Sequence, residues 1–240
     1  MAQTVSVGTP HSLGFNLYSV RFDSLLSQYI DCGNLAVFDP GVNDFTIFLA
    51  FKTPGIGAIQ VLAAKAAAGY NGYYLRMGVG GLLTVMIGNG PAGCDIGSVE
   101  RYDDDRWHFA AFGKTGLTCF LRTEREYRTS LYPGGAVASG ALRLFFAARD
   151  WAPTFYYTGE LTPLLFYGGH ALTLGEFQRN MLDYHSPLMG NLELWLPLND
   201  GAGTTATGEV AGRNGSLLPA PNPPVWNPLD MWEIRSEARL

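Results

Sequence analysis

Residues 155–177 read FYYTGELTPLLFYGGHALTLGEF, and the fold turns on where that run is cut. TGELTPLLFY reads as a strand. ALTLGEFQRN reads as one short helical excursion from the sheet, because Thr173 with Glu176 three residues on has the form of a capping box. Upstream, DFTIFLAFK places Phe45, Ile47, Leu49 and Phe51 on one face by the strand period of two. Its other face, Thr46, Phe48, Ala50 and Lys52, is only partly polar. AIQVLAAK, GYYLRM and LLTVMIGNG continue the strand texture. The last two meet across Gly78-Val79-Gly80-Gly81, a hairpin signal because glycine supplies the positive φ of tight turns. DDDRWHFAAFGK and GLTCFLRT pair across Gly113–Gly116, and EREYRTSLYPGG adds a short polar strand. SGALRLFFAARD leads into the opening stretch. NLELWLPLND follows it, alternating Leu192, Leu194 and Leu196 against Glu193 and Trp195. GAGTTATGEVAGRNGSL then reads as a small-residue loop, and PAPNPPVW returns toward the core.

Many short strands, 30 glycines and 13% aromatic residues in 240 make an all-β domain with extensions. Residues 1–18, with Thr4-Val5-Ser6-Val7, and 228–240, with Met231, Trp232 and Ile234, are expected to be arms. Twenty-one acidic against 16 basic residues leave no electrostatic footprint for nucleic acid. Charged residues are 15% of the chain, against about 25% in ordinary domains, so part of the surface is expected to be covered. Only Lys52, Lys65 and Lys114 among the basic residues are lysine. Arginine bias fits protein interfaces, and it fits a GC-rich genome equally well. Cys32, Cys94 and Cys119 are widely spaced with no CxxC, so neither a zinc site nor a disulfide framework is expected. MAQTVSVGTPHSLGFN lacks the basic and apolar regions of a signal peptide, and no apolar run approaches the ~20 residues of a membrane span.

In order, YIDCGN, DFTIFLAFK, GYYLRM, the Trp-His pair of DDRWHFAAF, the opening stretch, LELWLPLNDGAGTTATGEVAGRNGSL and a closing Trp226 resemble the laminin-G-like branch of the concanavalin A-like jelly rolls. The resemblance covers residues 19–227. It implies a two-sheet antiparallel jelly-roll sandwich of about a dozen strands with one short helix. Carbohydrate or protein binding is common in that family, and enzymatic activity is confined to some branches. Where such domains often carry a D-x-S-G turn, this chain has Glu209-Val210-Ala211-Gly212, which puts a calcium site built on that Asp in question.

Glycoside hydrolysis needs two carboxylates at the scissile bond. No E-x-D-x-E pattern occurs, and the nearest pair is Glu124-Arg125-Glu126. Asp103, Asp104 and Asp105 are weak calcium candidates, with Asp95 or Glu100 nearby, and read alternatively as a solvated turn before Trp107. Asp39, Asn43 and Asp44 make a weaker case. His11, His108, His170 and His185 have no metal spacing, and His108 reads as a hydrogen-bonded packing residue. Arg149, Asp150, Trp151 and Tyr156, with Tyr157 behind, are the candidates for a glycan surface, unless burial takes them. Trp107, Trp195 and Trp226 are expected in the core.

No catalytic constellation appears, so a non-enzymatic protein is expected. The expectation is a virion structural protein, a phage capsid decoration or surface component, assembled in host cytoplasm as a homo-oligomer. Its arms, through Thr4, Val5, Ser6, Val7, Met231, Trp232 and Ile234, would bind neighbouring capsid or other virion subunits. The alternative is a free-standing lectin-like module for a cell-surface glycan. Neither reading calls for nucleic acid, membrane or a cofactor other than calcium.

Overall fold

The computed structural model describes residues 17–149, 155–183, 186–229 and 234. In chain order the strands are β1 (Leu17–Phe22), β2 (Tyr29–Asp31), β3 (Phe45–Lys52), β4 (Gln60–Ala67), β5 (Tyr70–Met77), β6 (Leu82–Gly90), β7 (Gly93–Arg101), β8 (Trp107–Thr115), β9 (Thr118–Thr123), β10 (Tyr127–Leu131), β11 (Phe145–Phe146), β12 (Gly159–Gly168), β13 (Leu192–Leu196), β14 (Thr205–Ala206), β15 (Gly215–Leu218) and β16 (Val225–Leu229), with helix α1 (Leu174–Leu182) between β12 and β13. Sheet A runs β10-β9-β8-β3-β12-β1-β16, and β13 joins β12 beyond the end of β1. Sheet B runs β14-β15-β2-β11-β4-β5-β6-β7. The two antiparallel sheets form a jelly-roll sandwich.

The opening stretch divides as its residues require. Gly159 starts β12 at φ +143°, where a Cβ would strike the Lys52 carbonyl oxygen and the Tyr157 hydroxyl. Only glycine fits there. Thr173 caps α1: its hydroxyl accepts from the Glu176 amide at 3.3 Å, and the Glu176 carboxylate accepts from the Thr173 amide at 2.8 Å.

β3 is buried on both faces. Phe45, Ile47, Leu49 and Phe51 enter the main core between the sheets, against Tyr73, Leu75, Phe112 and Phe166. Phe48 and Ala50 enter a second core on the outer side of sheet A, with Trp107, Phe109, Phe120, Leu165 and Tyr167. Phe177 and Met181 of α1, Leu172 and Ile234 close that second core. The partly apolar second face of DFTIFLAFK is thus the floor beneath a helix.

Cys94 of β7 and Cys119 of β9 form a disulfide, with Cα atoms 6.9 Å apart, which corrects the expectation of no disulfide. Their separation of 25 residues matches no spacing motif, because two different sheets bring them together. Both sit in the main core, so the bond staples sheet B to sheet A along one edge. Cys32 is free and buried, and burial pushes its thiol up. The expected loop after β13 instead contains β14 and β15, a hairpin that extends sheet B. β1 and β16 pair from Leu17↔Leu229 to Arg21↔Val225, so sheet A reaches slightly into both presumed arms. Trp107 is fully buried, whereas Trp195 and Trp226 are half-buried at the margins of the second and main cores.

Candidate functional site

The side chains expected to do chemistry are mostly committed to holding the sandwich together. Asp103 takes Arg101 at 3.0 and 3.2 Å. Asp104 takes His108 Nε2 at 2.7 Å and Arg125 at 3.4 Å. Asp105 turns the chain at φ +57°, its amide donating to the Thr53 carbonyl, and lines a polar cleft with Arg21, Lys52 and Glu160. The three candidate calcium ligands therefore point to three different neighbourhoods, and no group of three metal-binding side chains occurs among the described residues.

Glu124 and Glu126 are likewise structural. Glu124 faces His108 Nδ1 at 2.7 Å and accepts from the Phe109 amide. Glu126 accepts from the Val99 and Glu100 amides and from Tyr102, tying the β9–β10 turn to β7. His108 is buried with a carboxylate on each ring nitrogen, the packing role its sequence context implied. Lys65 and Lys114 are buried as internal staples, Lys65 on Asp39 and Asn34, and Lys114 on the Val42 and Gly116 carbonyls. Desolvation lowers the proton affinity of both, and Asp39 and Asp44 oppose it.

The outer face of sheet B differs. On β5, Tyr73, Leu75 and Met77 point into the core, so Tyr74 and Arg76 point out. The same alternation sends Thr84 and Met86 of β6 and Asp95 of β7 outward, opposite Leu83, Val85, Ile87, Cys94 and Ile96. The ladder aligns them in one row: Ser216↔Asp31↔Phe145↔Ala64↔Tyr74↔Met86↔Asp95. At the strand spacing of ~4.8 Å this row crosses seven strands in about 29 Å. A second row, Val61↔Arg76↔Thr84↔Gly97, runs beside it.

Aromatic side chains build up one end of this face. Tyr156 stacks on Tyr29 with ring centroids 6.2 Å apart at 29°, and Tyr29 meets Phe145 edge-on at 5.3 Å. Arg149 lies 3.8 Å over the ring of Phe155, whose carbonyl accepts from the Val61 amide on β4. Towards the other end is a hollow of about 490 Å³ lined by Gly69, Tyr74, Arg76, Thr84, Met86 and Asp95. Arg76 sits 5.5 Å over the ring of Tyr74. Burial pushes the Tyr74 phenol up, with Arg76 and Arg149 pulling it back and Asp95 adding to the rise. Arg143 holds Asp31 bidentately, Nη2 donating to Oδ2 at 2.6 Å and Nε to Oδ1 at 3.1 Å, towards the edge of the row.

Arg149 and Tyr156, both expected at a glycan surface, lie on this face, with Tyr157 turned into the core behind them. Asp150 and Trp151 lie outside the described residues. Tyr29, Tyr74, Arg76, Thr84 and Phe145 carry no motif signal, and Asp95 stands out in the sequence only as a calcium neighbour of Asp103–Asp105; the alternation within YNGYYLRM could have found Tyr74 and Arg76. Thr4, Val5, Ser6, Val7, Met231 and Trp232 also lie outside the described residues. Ile234, expected to anchor on a neighbouring subunit, is fully buried in the second core of its own chain. The apolar outer floor of sheet A claims it first.

No protein-family model matches the chain, and no curated protein matches it. Solved structures do. A Bacteroides ovatus protein with a provisional carbohydrate-binding name aligns at a TM-score of 0.67 and 15% identity, over 90% of this chain and 60% of that one. The binding domain of Paraclostridial Mosquitocidal Protein 1 aligns at 0.52 and 14%, over 69% and 43%. Domains LG4-5 of the mouse laminin α1 chain align at 0.50 and 15%, over 63% and 41%. At such identities the likeness establishes the fold, which is the one the sequence resembles. This chain spans about 60% of the length of the Bacteroides protein.

Proposed function

We propose that this chain is a non-enzymatic carbohydrate-binding module that receives a sugar on the outer face of sheet B. One observation carries the reading: the aromatic tract of Tyr29, Tyr156 and Phe145 shares one outer sheet face with the polar hollow of Tyr74, Arg76, Thr84 and Asp95, and among the described residues no helix lies over that hollow. Tyrosine offers an apolar ring for a sugar's C–H face and a hydroxyl at its rim. Placed polar groups then fix orientation, as in small-molecule sites generally. The likeness to the Bacteroides protein supports the reading. An immobilised glycan panel, probed with the intact protein and with Tyr74→Ala and Tyr156→Ala, tests it. Binding that falls at least tenfold in either variant is expected; an intact protein that binds no glycan overturns it.

A second reading, an assembly subunit of a virion surface, has one observation in its favour. Leu25, Leu26 and Val225 are 90%, 44% and 62% exposed, and the latter two line an open groove of about 510 Å³ with Pro221, Pro223 and Trp226. Exposed apolar patches of this kind mark contact surfaces. Light scattering over a concentration series decides it. A closed oligomer that Leu26→Asp and Val225→Asp convert to monomer supports it, and a monomer at every concentration counts against it.

A further inference from the structure

We infer that Lys65 and Asn34 become covalently joined: the side-chain amine of Lys65 attacks the carboxamide carbon of Asn34 and expels ammonia, leaving an amide bridge between β4 and the loop after β2. This bond is independent of any sugar and is a modification that the chain makes on itself. The groups such a reaction needs are in place. Lys65 Nζ, on a fully buried side chain, donates to Asn34 Oδ1 at 2.8 Å. That hydrogen bond brings the carbon bonded to Oδ1 close to the amine, and attack calls for reacting atoms about 3–3.5 Å apart. Asp39 Oδ1 lies 3.2 Å from the same nitrogen and accepts from the Ser139 hydroxyl at 2.6 Å, which fixes its position. The Leu142 carbonyl accepts from the amine as well and sets its direction.

Burial supplies the reactivity. A lysine is a nucleophile only as the free amine, and a dry site is one route to that form. Desolvation lowers the proton affinity of Lys65, against the hydrogen bond and charge of Asp39. As the new C–N bond forms, the carbonyl electron pair moves onto Oδ1 and Asp39 takes a proton from the attacking nitrogen. The pair then returns, the old C–N bond breaks, and the carboxyl gives its proton to the departing nitrogen. One amine and one carboxamide become one secondary amide and one ammonia, with no oxidant, metal or second substrate. Asn34 is exposed, which gives the ammonia a way out, while the lysine stem stays buried. Lys114 makes the contrast. It is almost as deeply buried, but it donates to the main-chain carbonyls of Val42 and Gly116, with Asp44 at 4.0 Å, and among the described residues no side-chain amide accepts from it. The bridge spans 31 residues and, unlike the Cys94–Cys119 disulfide, survives reduction.

The mass of the reduced, denatured chain, followed by peptide mapping, tests this. The expected result is a chain lighter than its sequence by one ammonia, with a branched peptide in which Lys65 is joined to Asn34. Asn34→Ala alters an exposed position and removes the carbon under attack; it is expected to carry the full sequence mass, an unbranched Lys65 peptide and a cooperative melt at a lower temperature. Asp39→Ala keeps both reacting groups and is expected to stay largely unbranched. An intact chain of full mass whose Lys65 peptide is unbranched overturns the inference. So does ammonia lost without a branch, the signature of a succinimide at an Asn-Gly pair such as Asn71-Gly72, and so does a branch from Lys65 to Asp39 with loss of water. An Asp39→Ala chain as fully branched as the intact one overturns the part given to Asp39.

Discussion

The two sheets of this sandwich present outer faces made from the same kinds of strand and finished in opposite ways. Sheet A carries Phe48, Phe109, Trp107, Phe120 and Leu165 outward, more apolar surface than water tolerates, and the chain returns to cover it with α1, Leu172 and Ile234. Sheet B carries Tyr74, Arg76, Thr84 and Asp95 outward, and among the described residues no helix lies over them. Hydrophobic burial explains the first face completely. On the second, half-buried aromatic and charged groups gather where stability alone would be served by short polar side chains. A lid marks the stabilising face, and the face that no described helix covers is the one we propose for a ligand.

The sharpest way to break this contrast is to empty the lid. Phe177 is buried and meets Phe48 edge-on at 5.6 Å. Phe177→Ala should cost roughly 3–5 kcal/mol in urea unfolding, the usual price of deleting a core ring. A loss below about 1 kcal/mol would mean that α1 rests on sheet A without sealing it. Next in size is the staple between the sheets. Cys94→Ser or Cys119→Ser frees a loop of 25 residues and should cost about 3 kcal/mol through the chain entropy of the unfolded state. An unchanged midpoint, or three free thiols instead of one in the denatured, unreduced protein by thiol counting, would show that the sheets are held by packing alone.

The lid should also respond to its cap and to acid. Thr173→Ala removes the capping box and should cost about 1 kcal/mol. Burial raises the Glu176 carboxyl, but hydrogen bonds from Thr173 and the neighbouring His170 outweigh it and hold the group below the usual carboxylate range. A depressed folded value means that the stabilisation is complete above the ordinary glutamate value of about 4.3 and is lost as pH falls through the folded one. Melting between pH 6 and pH 3 should therefore fall less steeply in Glu176→Gln than in the intact protein. Parallel curves would remove Glu176 from the acid response.

Much of this was legible in advance, and the reason differs from element to element. The capping box and the period of DFTIFLAFK are local, so Thr173, Glu176 and β3 could be read directly. β7 was passed over because Gly93 and Gly97 dilute its alternation, and with it went the disulfide partner Cys94. β14 and β15 hide in a small-residue stretch that becomes strand only because β2 offers a free edge. The proposed binding face is harder still. Tyr74 and Arg76, Asp95 and Phe145 come from three strands and become neighbours through register, which motif spacing does not carry. Arg149 and Tyr156 were visible only as aromatic and basic residues near a turn.

The smallest expected effect is the one that tests the open face. Thr84 is half-buried on β6, between Arg76 and Gly97 in the ladder, and packs into neither core. Thr84→Ala removes a hydroxyl and a methyl from a face that stability does not need, so unfolding should shift by no more than about 0.5 kcal/mol. If the hollow holds a sugar, the same substitution should weaken binding severalfold, because a hydroxyl beside Arg76 is placed to orient the ligand. Stability and affinity would then separate here, whereas Phe177→Ala should act on affinity only by unfolding the protein. A Thr84→Ala variant that loses stability as steeply as the lid variant would show that sheet B's outer face is core in its own right, and the contrast between the two faces would fail.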